Sequence, residues 1–81
     1  MHFTIIAGHG GMKQRGFIHF GENGAEDRHL PFSAHDGAAA ELKRQFVAGE
    51  EWDIEAATKA AYEAADSRVG DDFSCEIYAE Q

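Results

Sequence analysis

The spacing of apolar residues switches twice along this chain. It is strand-like from Phe3 to Phe20, helical from Ala39 to Ala65, and strand-like again from Phe73 to Tyr78. Side chains alternate across a strand with period 2 and recur on one helix face with period 3.6, so the pattern demands both element types in that order. Phe3-Thr4-Ile5-Ile6-Ala7 is β-branched and aromatic with weak alternation, the pattern of a largely buried strand. Gly8-His9-Gly10-Gly11 is a turn, since glycine reaches positive φ without steric cost. Residues Met12 to Phe20 read as a returning strand, with Ile18 and Phe20 on one face and Phe17 and His19 on the other. Glu22-Asn23-Gly24-Ala25 carries Asn-Gly, a strong hairpin signal. Arg28 to Phe32 then reads as a short third strand. Pro31 cannot donate to a ladder, which places that strand at an edge or confines the proline to its end.

In the helical region Ser33 or Asp36 is the expected N-cap, and Ser33-Ala34-His35-Asp36 resembles a capping box. Ala39, Leu42 and Phe46 share a face from which Lys43 and Arg44 point away, and Gly49 sits where a helix-terminating glycine belongs. A second helix starts at Asp53 as N-cap with Glu55 in its first turn. Its stripe is Ile54, Ala57, Ala61, Ala65 and Val69, with Tyr62 flanking and Gly70 as the stop. The short connection implies an antiparallel αα-hairpin, whose alanine-rich surface allows close approach. Phe73, Cys75 and Ile77 alternate with Ser74, Glu76 and Tyr78 in the closing strand. The expected fold is α+β in the order β-β-(β)-α-α-β. An antiparallel sheet of three to four strands carries the αα-hairpin on one face, in a single compact domain over residues 1–81.

Eighty-one residues give one small core. A single cysteine, Cys75, excludes an intramolecular disulfide and fits a reducing compartment. No signal peptide and no apolar run near the ~20 residues of a membrane span is visible, so a soluble cytoplasmic protein with no membrane contact is expected. Charge is unevenly placed. The first 21 residues carry no acid and two bases, Lys13 and Arg15, whereas all 15 carboxylates follow Gly21 and bring the chain to −8. A field of that sign repels nucleic acid and attracts basic protein surfaces.

The motifs of common chemistries are missing or incomplete. The glycine cluster precedes a strand rather than a helix, and lacks the Gly-Lys-Ser/Thr of a phosphate loop. His2, His9, His19, His29 and His35 have none of the short spacings that zinc sites use, and only convergence in space, for instance of His29, His35 and Asp36, would make a metal site. Cys75 lies on the apolar face of its strand, as a small buried hydrophobe with little thiolate character. None of the three serines sits in a Gly-x-Ser-x-Gly elbow. The expectation is a protein that is not an enzyme and holds no cofactor or metal. Histidines and Cys75 are the residues a small enzyme or metal protein would use instead.

The segment Glu50-Glu51-Trp52-Asp53-Ile54-Glu55 puts four carboxylates and the sole tryptophan at the tip of the helical hairpin. Two readings compete. Locally, Asp53 caps, Trp52 folds back as a hydrophobic staple and the glutamates are solvated. Functionally, Glu50, Glu51, Trp52, Asp53 and Glu55 are an aromatic ringed by acid that suits a basic pocket, and Asp71 and Asp72, with Glu63, Asp66, Glu76 and Glu80, extend the acidic face. Such carboxylates imitate a phosphate backbone and compete for a DNA-binding channel. A homodimer through the exposed edge of the Cys75 strand is a further expectation.

In its size, acidity, α+β layout and lack of catalytic motifs, the chain resembles the small inhibitors encoded by phages, in particular anti-CRISPR proteins. That class shares no sequence signature, so no residue role is carried over by motif. The resemblance implies a stoichiometric inhibitor that binds a CRISPR effector subunit in the bacterial host cell and blocks target-DNA recruitment. Antitoxins and small regulatory adaptors that bind a toxin or an enzyme share the same profile.

Overall fold

Phe3, Ile5 and Ala7 point to one side of the first strand and are fully buried, while Thr4 on the other side is nearly so. Burial on both faces requires neighbours on both edges, and the chain supplies them. In a computed structural model, which describes residues 1–68 and 70–80, the elements are β1 (His2–His9), β2 (Gln14–Phe20), β3 (Glu26–His29), α1 (Ser33–Ala48), α2 (Ile54–Ala64) and β4 (Phe73–Glu80). The sheet order is β3-β2-β1-β4 with every neighbouring pair antiparallel. The α+β class, the element order and the four-stranded antiparallel sheet are as the sequence pattern implies.

Several boundaries differ from the expected ones. The second strand begins at Gln14 rather than Met12, because Met12 closes the glycine turn by donating its N–H to the His9 carbonyl at 2.9 Å. The third strand is Glu26–His29 rather than residues 28–32, and it ends before Pro31. The β2–β3 connection is the hairpin expected at Asn23-Gly24, its turn closed by Gly24 N–H on the Gly21 carbonyl at 3.2 Å with Gly24 at φ 77.

The first helix is capped by neither Ser33 nor Asp36, which both lie inside it; the N-cap is Phe32. A phenylalanine ring accepts no hydrogen bond, and a different residue compensates. His35 Nδ1 accepts the Phe32 N–H at 3.3 Å, and its Nε2 bonds the Gln14 carbonyl at 3.0 Å. The imidazole is fully buried and joins the helix start to β2. It fits there because residue 16 is glycine: a Cβ would meet the His35 ring and the His29 carbonyl at 2.7 Å each.

The second helix stops at Ala64, not at Gly70. Asp66 takes the left-handed conformation at φ 54, while Asp66 and Ser67 donate to the Glu63 and Tyr62 carbonyls at 3.1 and 2.9 Å. That is a Schellman termination, with aspartate in the place glycine usually fills. Of the expected stripe, Val69 lies outside the described residues. Gly49 ends α1 as expected, at φ 70.

Both helices lie on the sheet face formed by Phe3, Ile5, Ile18 and Phe20, and small residues set their separation. Ala34, Ala38, Ala57 and Ala61 are buried, and a Cβ on Gly37 would stand 2.6 Å from Ala64 Cβ and 2.7 Å from the Ala60 carbonyl oxygen. In an isolated helix, Gly37→Ala gains up to about 1 kcal/mol of propensity. Here the clash with a backbone carbonyl outweighs that gain, since overpacking costs about 1–3 kcal/mol. We expect Gly37→Ala to lower stability by about 1 kcal/mol in urea denaturation; a stabilised variant would refute the close helix contact.

Candidate functional site

The αα-corner gathers the acidic segment around one buried amide. Gln45 is fully buried near the end of α1. Its Oε1 accepts the Asp53 N–H at 2.8 Å and its Nε2 donates to the Asp53 carbonyl at 3.1 Å. Only one orientation of the amide satisfies both bonds. The second Nε2 proton goes to Glu41 Oε2 at 2.9 Å. Gln45 thus pairs with the Asp53 backbone much as a neighbouring strand would, and sets the start of α2. Asp53 is then the N-cap, as expected, its Oδ1 accepting the Ala56 N–H at 3.0 Å.

Around this clamp the charges divide into a satisfied set and a free set. Arg44 donates to both oxygens of Glu41, at 3.0 and 2.8 Å, and to both oxygens of Glu50, at 3.1 and 3.0 Å. Hydrogen bonds donated by Arg44, then Gln45, hold the Glu41 carboxyl down at about 2, and those that Arg44 donates to Glu41, then Glu50, push the guanidinium above its ordinary value. Glu51, Asp53 and Glu55 are exposed and make no ion pair among the described residues. With Glu41, Glu50 and the single Arg44, the corner carries −4.

Trp52 faces inward. It is half-buried, edge-on to Phe3 at 4.8 Å and stacked with Phe20 at 5.8 Å and Phe46 at 6.1 Å. Phe46, on the expected helix face, also stacks on Phe20 at 4.7 Å. The tryptophan therefore ties the corner to the core, and what the corner presents outward is carboxylate. Asp71 and Asp72 are not brought to it. Asp71 Oδ2 accepts the Arg68 N–H at 2.8 Å, and the Asp72 carbonyl accepts the Gly10 N–H at 2.7 Å. Gly10 follows the far end of β1, whereas Trp52 touches Phe3 near its start, so about 20 Å of strand separates the two acidic groups.

The remaining chemistry-bearing residues are scattered. Among the described residues no three or more His, Cys, Asp or Glu side chains are placed to hold a metal ion. Cys75 is half-buried, and burial first, then the neighbouring Glu76, pushes its thiol up to about 11, away from nucleophilic use. A cavity of about 350 Å³ beside the glycine turn is lined mainly by Met12, Phe32, Ala34 and Phe73, with His9 at its wall. No described helix is long and apolar enough to cross a membrane. The sequence pattern flags Asp53 correctly as a cap, but nothing in it distinguishes Gln45 or His35, whose roles depend on partners in other elements.

Two outcomes test this geometry. Gln45→Ala leaves the Asp53 N–H and carbonyl without their buried partner, so stability should fall by about 2–3 kcal/mol in urea denaturation; a loss under about 0.5 kcal/mol would mean that the amide does not hold the corner. Glu41 titrates below its ordinary 4.5 in the folded chain, so its contribution is complete above about pH 4.5 and drains away as pH falls towards about 2. The thermal midpoint of Glu41→Gln should therefore fall less steeply across that interval than that of the native chain. High salt should narrow the gap, because the pair faces solvent. Parallel acid profiles at low salt would dissociate Glu41 from that behaviour.

No protein-family model, curated protein or solved structure matches the chain, so its role is read from the chemistry of its own residues.

Proposed function

We propose that this chain is a non-enzymatic inhibitor that docks its acidic helical corner on a basic, nucleic-acid-handling protein complex in the bacterial cytoplasm. A CRISPR effector whose target-DNA binding it blocks is the specific case. The observation that carries this reading is the −4 corner, with Glu51 and Glu55 exposed and without an ion pair among the described residues, on a backbone fixed by Gln45. A rigid set of carboxylates keeps its spacing when a partner arrives, so little ordering cost opposes binding. Lysines and arginines that normally meet phosphates can meet these carboxylates instead, and each contact excludes one to DNA. Asp53 contributes charge while its carboxylate caps α2, and Glu50 is held in place by the Arg44 guanidinium that it shares with Glu41. Trp52 supports the surface from beneath, and Asp71 and Asp72, at the far end, serve at most as a separate contact.

The test is a competition titration against DNA binding by a purified type I CRISPR effector complex, at two salt concentrations. The native chain should inhibit at one copy per binding site and lose potency as salt rises. The double variant Glu51→Lys, Glu55→Lys, folded by circular dichroism, should inhibit at least about tenfold less well, as reversal of charges facing a basic surface requires. Equal inhibition by the two chains would remove the corner from the contact. Inhibition by neither would remove the effector as the partner.

A further inference from the structure

The helices cover one face of the sheet, and the opposite face carries an ordered side-chain pattern set by the strand register. Three rows cross it. One joins Asp27, His19, His2 and Glu80; the next His29, Phe17, Thr4 and Tyr78; the third Arg15, Ile6 and Glu76. The centre is aromatic and apolar: His2 stacks on Phe17 at 5.4 Å, His2 and His19 lie 5.8 Å apart, and Ile6 is half-buried beside them. Charge is divided by strand. On this face β2 carries Arg15 and His19 and no acid, whereas β4 carries Glu76 and Glu80 and no base. The two strands flank β1 on opposite sides.

That division singles out a partner. A two-fold axis running along β1, parallel to the strands, sets a second copy face to face with the first. Each β4 then lies over the other copy's β2, with every row kept in place. Glu76 meets the second copy's Arg15, Glu80 meets its His19, and Tyr78, half exposed, covers its Phe17. Ile6 meets its own equivalent on the axis. A two-fold axis across the strands would put Glu76 and Glu80 against carboxylates of the same strand, and is disfavoured. Aligned sheets pack about 10 Å apart and about 30° from parallel, which long side chains such as Arg15 and Glu76 span. Neither Arg15 nor Glu76 has an ion-pair partner within the chain among the described residues; Glu76 accepts only the Tyr78 hydroxyl, at 2.8 Å.

We propose that the open sheet face is a self-association surface, in which two copies stack face to face about β1 and pair Arg15 of each with Glu76 of the other. The three strands that overlap, β2, β1 and β4, have seven or eight residues each and present on the order of 300 Å² per copy, below the size of a permanent interface, so the dimer is weak and forms in the micromolar range. It leaves both acidic corners uncovered and stands independently of the function proposed above.

Sedimentation equilibrium over a concentration series tests it, with circular dichroism confirming that each variant is folded. Arg15→Glu and Glu76→Arg are exposed substitutions outside the core, and each alone should weaken dimerisation at least about tenfold by facing like charges across the axis. The double variant reverses the pair and should regain most of the native affinity. A chain that stays monomeric into the millimolar range overturns the proposal. So does a double variant no better than either single one. A dimer indifferent to both substitutions and trapped by a Cys75–Cys75 disulfide also overturns it, by placing the contact at the β4 edge.

Discussion

Gln45 and Asp53 exchange two hydrogen bonds between a buried amide and a backbone peptide, and the arrangement of the helical layer follows from that exchange. With it Asp53 is fixed where it caps α2, and Trp52, one residue earlier, is fixed against Phe3 and Phe20. A buried polar group with a full set of partners costs little, whereas the same group with one partner missing costs the whole desolvation of the other. The corner is therefore close to all-or-none. His35 plays the matching part at the other end of α1, so that helix is held at both termini by buried polar side chains rather than by surface caps.

Between these two clamps the helical layer is built from very small residues. Ala34, Ala38, Ala57 and Ala61 contribute little apolar area each, and the large hydrophobic side chains that are fully buried come from the sheet and from Leu42. Close approach replaces bulk: with no Cβ on Gly37 the two helices meet backbone to side chain, and dispersion over that contact substitutes for larger side chains. Charge follows the same economy of space. Arg44 serves two carboxylates, and Lys43 reaches from α1 to Glu26 on β3 at 3.1 Å, bracing an otherwise polar edge strand.

Strongly periodic segments were legible from sequence. The alternation of Phe73, Cys75 and Ile77, the buried run from Phe3 to Ala7, and Asp53 as a cap each depend on neighbours within a few residues. The third strand was legible only in part, because Glu26-Asp27-Arg28-His29 has no apolar alternation and is held by pairing with β2 alone. The start of α1 departs from the pattern that Ser33 and Asp36 suggest because the compensating group, His35, accepts through an imidazole and gains its second partner from β2. α2 ends earlier than Gly70 suggests because an aspartate, Asp66, adopts the left-handed turn. At the candidate site the acidity of the corner was plain from composition. That Trp52 turns inward, and that Asp71 and Asp72 lie a strand-length away, are facts of three-dimensional placement that spacing alone does not encode.

β1 receives its two partners from very different distances along the chain. β2 follows it through a short glycine turn, but β4 comes after both helices, so that Ala7 pairs with Cys75 across most of the sequence. Hairpins and helix pairs close locally and fast, whereas a pairing of such long range waits on a much larger loop closure. As the chain leaves the ribosome, its most apolar strand is thus hydrogen-bonded on one side only until both helices have been made. Throughout that interval the free side of β1 is an open template for another nascent chain, and the arrival of β4 is what seals it.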